Sequence, residues 1–318
     1  MKFGRRCQLK IEVDPVLASD GTRQGSNTLT IPQNIAIEFN IQRSFNSPSQ
    51  TGSFRIIGLG EETRNRIQRD PFATGLLLAI QFRAGYEGSP AALCFNGTVM
   101  SATSYQTSGS PDFITEIIAY DGGFATANGF TAATIISGTS VRDTLVALAK
   151  SLPSVSGTPI IGAFPTKTLR GQALMGNTWS IISQIVGAAG SNLATIDNGQ
   201  VKILNLNEGI GTDPEIPLIS SESGLLGTPR RTQTTLEFDM IFEPRLTLGQ
   251  IIQLKSTENA LYNGTYKVVA FSHHGSAPST GEDITAPVEM VVAGECISNV
   301  SLFFGIGEFQ IVNGFSPV

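Results

Sequence analysis

Two adjacent residues, His273 and His274, are the only imidazoles in the 318-residue chain. Imidazole is the side chain best suited to proton transfer near neutral pH and to binding transition metals. Neighbours on a strand point to opposite faces, so this pair cannot ligate one metal or share one catalytic task. The pattern places both at a strand end before Gly275, as surface or interface residues. The cysteines, Cys7, Cys94 and Cys296, are far apart, odd in number and free of any Cys-x-x-Cys. They read as reduced, buried small hydrophobes, not as a disulfide or metal set. Gly58-Leu59-Gly60 ahead of a helix resembles the start of a nucleotide loop. The third glycine is missing, however, and Glu61 and Glu62 stand where a phosphate would sit, so a plain strand-to-helix turn is expected. Glu116 and Asp121 could pair as hydrolase carboxylates, yet nothing in their spacing separates them from solvated or interface acids. There is no His-Glu-x-x-His, Cys/His cluster or Gly-x-Ser-x-Gly. We therefore expect no catalytic, cofactor or metal site and no enzyme. Trp179 falls on a helical apolar stripe and reads as core, with interface packing as the alternative. Arg230 and Arg231 either pair with acids of a neighbouring subunit or are solvated.

The elements that would position these residues are mostly strands. Residues 8–13 and 35–41 alternate apolar with polar or small residues, and 54–57, 76–82, 92–100 and 113–120 continue the series. Residues 60–70 read as a helix, with acids first, arginines later and Pro71 as its stop. The middle third changes period. Helices are expected over 139–152, with Val141, Leu145 and Leu148 on one face, and over 178–189, with Trp179, Ile182 and Val186. Strands at 192–196 and 200–206 flank Asp197-Asn198-Gly199, a hairpin signal. Strands return at 234–242, 250–255, 265–273 and 286–293, followed by an apolar, glycine-rich tail with Phe303, Phe304, Phe309 and Phe315. Such a tail is expected to dock on a partner or on the chain's own sheet.

Two stretches look alike, 79–122 and 251–295. Each has a strand with Ile-Gln-Phe or Ile-Gln-Leu, then aromatic-Asn-Gly-Thr (Phe95–Thr98 and Tyr262–Thr265), a strand, a Ser/Gly/Pro-rich turn and another strand. The asparagines are 263 − 96 = 167 residues apart. Asn-Gly supplies positive φ for a tight turn, so each motif is expected at a hairpin tip. The fold expected is mainly β with an α/β insertion: a first β-barrel domain over 1–128, a small α/β domain over 129–217, a second, similar β-barrel domain over 218–298 and a tail over 299–318. Three copies of such a chain would present six similar barrels, so a threefold ring could imitate a sixfold one.

Composition narrows the class. Charged residues make up 15% of the chain against a usual ~25%, and mean hydropathy is +0.09, which suits a protein with much surface buried against other chains. The net charge of −5 and the lack of any Lys/Arg run argue against tight nucleic-acid binding. A mildly acidic chain can still line a DNA conduit, since like charge discourages sticking. The N-terminus is basic but has no apolar stretch of signal-peptide type, and no run of ~18 apolar residues points to a membrane span.

The stretch 222–256 resembles the baseplate hub proteins of contractile-tailed phages. The likeness lies in Gly224–Leu225, Gly227, Pro229, the strand 236–242, Pro244–Arg245 and Gly249–Leu254. In the first third it lies in the segment 54–70, Ala84–Tyr86, Phe95–Val99 and Glu116–Gly122. These motifs are structural, and their order covers roughly residues 35–298. The resemblance implies a homotrimeric hub whose two barrel domains form a pseudo-sixfold ring between the hexameric tail tube and the trimeric central spike. It also implies kinship with type VI secretion spike hubs and the late control protein D group, and a place in the virion's tail baseplate after assembly in the host cytoplasm. The partners would be tail tube protein, spike protein and other baseplate proteins, with DNA only in transit and no membrane insertion. No fused spike or lysozyme-like segment is visible, so a separate spike is expected. Arg230, Arg231, Arg245, Phe303, Phe304, Phe309 and Phe315 are the suspected interface residues. The competing readings are a carbohydrate-binding module of a host-recognition apparatus and a peptidoglycan hydrolase.

Overall fold

The computed structural model describes residues 5–17, 23–33, 35–69, 78–86, 88–163, 169–190, 192–205, 208–210, 217–232, 235–277 and 297–303. Period-two patterning sets the first strands, β1 (Arg5–Leu17), β2 (Arg23–Thr30), β3 (Ile37–Ser44) and β4 (Gln50–Ile57). Gln50, Gly52, Phe54 and Ile56 of β4 are buried in alternation, as one face of a sheet on a core requires. Helix α1 (Glu61–Ile67) follows, with Gly60 as its N-cap. It is shorter than the charge pattern predicts: Gln68 is extended, and Arg69 exchanges backbone hydrogen bonds of 2.8 and 3.0 Å with Ala102. Next come β5 (Ala79–Tyr86), β6 (Ala92–Gln106), β7 (Phe113–Asp121) and α2 (Gly123–Asn128).

The middle segment holds β8 (Phe130–Ile135), α3 (Val141–Ser151), β9 (Ile160–Ile161), β10 (Gln172–Asn177), α4 (Thr178–Ala189), β11 (Asn192–Asp197) and β12 (Gln200–Asn205). Ser140 caps α3 and Asn177 caps α4, each accepting from the backbone N–H three residues on. The expected apolar faces are the buried ones: Val141, Leu145, Leu148, Trp179, Ile182 and Val186 share one cluster with Ile196, Val201 and Ile203. Asn198 and Gly199 have φ of 54° and 72°, the two positive values a type I′ hairpin needs.

The last strands are β13 (Leu218–Ser220), β14 (Leu225–Arg231), β15 (Thr235–Ile241), β16 (Ile251–Lys255), β17 (Gly264–Ala277) and β18 (Ile297–Phe303). The strand expected at 286–293 lies outside the described residues. β18 carries the sheet through Phe303, past the expected boundary at residue 298.

Most strands join one 13-stranded sheet. Within it, β3-β4-β7-β6-β5 and β14-β15-β18-β17-β16 run in the same order with the same chain sequence. The fourth strand of each unit also carries a bulge against the third, at Met100 in β6 and at Val269 in β17. The bulges are 269 − 100 = 169 residues apart. Structure therefore aligns the two units two residues away from the Asn-Gly-Thr alignment. An even slip keeps the same residues facing the core. The two cores are separate clusters, one built on Leu9, Phe39, Phe54, Phe82 and Phe95, the other on Leu236, Phe238, Leu248, Tyr266 and Phe271. Among the described residues the strands form this continuous sheet and no closed barrel.

The Asn-Gly motifs are not hairpin tips. Gly97 lies inside β6 opposite Ile80, and Gly264 begins β17 opposite Leu254. Gly97 is needed for close approach: an added Cβ would stand 2.8 Å from both the Tyr120 carbonyl oxygen and the Phe95 ring.

Candidate assembly surfaces

The two units and the α/β segment meet at a buried polar junction. Arg43 of β3 pairs with Asp197 at the end of β11 and donates to the Cys94 carbonyl and to Asn198 Oδ1 (2.8 Å). Lys202 Nζ reaches Asp197 Oδ2 at 2.7 Å and the Leu248 carbonyl at 3.2 Å. Asp121 accepts from the backbone N–H groups of Asn198 and Gly199, so the hairpin tip sits on the end of β7. Lys267 donates to the Asn205 and Glu208 carbonyls at 2.8 and 2.9 Å. The α/β segment is thus held to the first unit through Arg43 and Asp121 and to the second through Lys202 and Lys267.

Electrostatics follow from burial. Burial pushes the Asp197 carboxyl up, but Arg43 and Lys202 outweigh it and hold it below its usual range. Burial and the Asp197 charge push Asp121 up to about 7, against Arg43 and the two backbone donors. Burial brings Lys267 down to about 8, partly offset by Glu208. Burial pushes the Cys94 thiol up to about 12, which makes it a poor nucleophile.

The histidines are not at a strand end. β17 continues through Ala277 because β3 pairs with it from Ala270 to Ala277. His273 is buried between Phe242 and Phe271, at ring distances of 4.9 and 4.8 Å. Neither of its ring nitrogens has a hydrogen-bond partner among the described residues, and burial, then Arg43, lower its pKa to about 3. His274 is exposed, so the pair does face opposite ways. Glu116 and Asp121 are also on opposite faces of β7, half-buried and buried respectively, and form no carboxylate pair. Trp179 is core and offers no exposed sugar platform. Among the described residues no group of His, Cys, Asp and Glu could hold a metal, and no helix is long and apolar enough to cross a membrane.

The suspected interface residues do not form one patch. Arg230 and Arg231 are exposed on β14, the strand that ends the sheet, opposite Glu237 and Leu236 of β15. Arg245 is exposed on a separate loop and pairs with Glu243 of its own chain at 2.9 Å. Phe303 ends β18, with backbone partners Thr235 and Lys267. Phe304, Phe309 and Phe315 lie outside the described residues, as does Cys296. The segment around Pro244–Arg245 has a docking role inside the chain. The Phe242 ring packs on Phe39, its carbonyl accepts from Tyr86 Oη at 2.7 Å, and the Pro244 carbonyl accepts from Cys94 Sγ at 3.6 Å. Among the described residues β6 offers a second open edge. β6 is paired by β5 up to Thr98 and by Arg69 at Ala102, and beyond that Thr103, Tyr105 and Gln106 are exposed.

This arrangement is the fold of phage tail proteins and of a type VI secretion component. The tail protein from Neisseria meningitidis MC58 superposes with a TM-score of 0.57 at 10% identity, covering 95% of this chain and 96% of that one. The 43 kDa tail protein of prophage MuSo2 from Shewanella oneidensis gives 0.53 at 8% identity, over 94% and 98% of the chains. An E. coli component of the type VI secretion system, itself similar in structure to the T4 tail proteins gp27 and gp5, gives 0.53 at 8% identity, over 90% and 76%. No curated protein matches the sequence. The chain belongs to the baseplate hub gp41 family, whose model matches residues 19–277. It is a structural protein of the phage tail, located in the baseplate of the virion.

Proposed function

We propose that the chain assembles as a homotrimeric ring that continues the hexameric tail tube, seats a separate trimeric spike and lets DNA pass through its channel. The observation that carries this reading is the repeated five-strand order with its matched bulges at Met100 and Val269. Two like units per chain give six per trimer, which is what a sixfold tube above and a threefold spike below require. In this reading the units are barrel-type tube domains at 1–128 and 218–298, the second extended by β18 to Phe303, with the α/β domain at 129–217 between them and a tail that docks on a partner. The chain contributes no catalysis. The candidate carboxylates support that reading, because Asp121 is taken up in holding the hairpin tip and Glu116 faces away from it. The other partners are tube and baseplate proteins.

Negative-stain electron microscopy with light-scattering mass measurement, on the chain alone and with tail tube and spike proteins, tests the ring. Threefold particles with six similar lobes are the expected result. A monomer at every concentration, with and without those proteins, overturns it.

A further inference from the structure

The sheet already contains one join between like units, and that join is a template. β3, the outer strand of the first unit, pairs antiparallel with the second half of β17. The counterpart of β3 in the second unit is β14, and the counterpart of β17 in the first is β6. The register runs through each unit without ambiguity. In the first, Val99 faces Ala119, Ala119 faces Gly52 and Gly52 faces Ile41. In the second, Val268 faces Leu302, Leu302 faces Leu236 and Leu236 faces Arg231. Arg231 therefore takes the place of Ile41, and Ser104 takes the place of His273, which lies opposite Ile41.

Hydrogen-bond alternation agrees on both strands. Ala102 exchanges backbone bonds with Arg69 on the side away from β7, so Ser104 and Gln106 turn their N–H and C=O groups the same way. The Thr232 N–H donates to the Thr235 carbonyl at 2.8 Å, towards β15, which turns the Arg231 peptide groups outward. In the internal join, the Phe45 N–H donates to the Val269 carbonyl at 3.0 Å, and by alternation Ile41 faces β17. The two edges thus have the parity of the strands that already pair. Each is also too polar to attract an indiscriminate strand: Thr103 and Gln106 on one, Arg230 and Arg231 on the other.

We propose that β14 of one copy adds to the Thr103–Gln106 stretch of β6 in a second copy, with Arg231 opposite Ser104 and Arg230 opposite Tyr105. The inference rests on the trimer above and names its contact. Each copy gives one edge of each kind, so the contact is head-to-tail, and three copies close it into a ring of alternating internal and intersubunit joins.

Tyr105 and Arg230 would form a non-hydrogen-bonded pair, with Cα atoms about 4.5 Å apart, close enough for a disulfide. The test uses the full chain with Cys296→Ser throughout. Oxidised Tyr105→Cys/Arg230→Cys is expected to run as dimer and trimer on a non-reducing gel. A mixture of the two single variants should stop at dimer, and each single variant alone should stay a monomer. Threefold particles that do not cross-link, because residues 304–318 or another surface occupy these edges, overturn the pairing and leave the ring intact. The absence of any oligomer overturns both. As a second variant, Ser104→Pro removes an outward N–H and the Ser104–Thr115 hydroxyl bond of 2.9 Å but spares the backbone ladder with β7. Loss of the trimer is expected, with the monomer melting temperature lowered no more than in Ser104→Ala, which keeps the trimer. Trimers that persist in Ser104→Pro overturn the pairing.

Discussion

The two five-strand units share an order of strands and a bulge but fill their spaces differently. In the first, Phe54, Phe82 and Phe95 pack ring on ring, and Gly52 and Gly97 make the room. In the second, the aromatic of the matching motif, Tyr262, is only half-buried beside a short 3-10 turn. The largest contrast lies in the second halves of the bulged strands. Where β3 covers β17, the positions hold Phe271 and His273, both buried; on β6 the same positions hold Ala102, buried and paired with Arg69, and Ser104, half-buried where the open stretch begins. The same backbone plan thus accepts bulky residues where a whole strand covers it and small ones where only Arg69, or no described strand, does. Topology and packing are separable layers of this fold.

Phe95→Ala is the strongest way to press that contrast. It should cost about 3–5 kcal/mol, the usual range for emptying a buried phenylalanine site, whereas Tyr262→Ala should cost about 1 kcal/mol. Urea unfolding midpoints measure both, and equal losses would mean that the motifs are packed alike. The next effect is pH-dependent. The unfolded chain protonates His273 near 6.5, the folded chain only at about 3. Its contribution to stability is therefore full above about 6.5 and is lost as pH falls from there towards 3. Asp197, held low, also loses its contribution in acid. Asp121 runs the other way: raised to about 7, it favours the folded state in acid, and that contribution is lost as pH rises through 7. His273→Leu should reduce the drop in stability between pH 7 and pH 4 by on the order of a few kcal/mol, read from melting curves at the two values. An unchanged drop would place the acid sensitivity elsewhere. Smaller still is the pair of glycines. Gly97→Ala should cost about 1–3 kcal/mol, because its Cβ meets a backbone oxygen. Gly264→Ala, whose nearest neighbour is 3.6 Å away, should stay within about 0.5 kcal/mol.

Much of this was legible in the residues. The helices at 178–189 and 139–152, the Asp197-Asn198-Gly199 hairpin and the alternating strands follow from local periodicity and turn chemistry. So did the existence of a repeat, although its register was misread by two residues. Asn-Gly favours a tight turn only when nothing else claims the glycine; here β5 and the Tyr120 carbonyl claim Gly97. The strand Ile297–Phe303 follows the same period-two rule as the other strands, since Val300 and Leu302 alternate with Asn299 and Ser301.

By itself, then, the sequence determined the order of most elements, since these rest on interactions between residues close along the chain, while the likeness of its motifs to hub proteins gave the class and the likeness of two stretches gave the repeat. Only the tertiary structure decided which strands meet. It put His273 in a buried aromatic slot, drew Arg43, Asp197 and Lys202 into one buried knot, and left β14 and the end of β6 as edges among the described residues. The pairing of β3 with β17 and the Arg43–Asp197 contact join residues more than a hundred positions apart, where no local preference reaches.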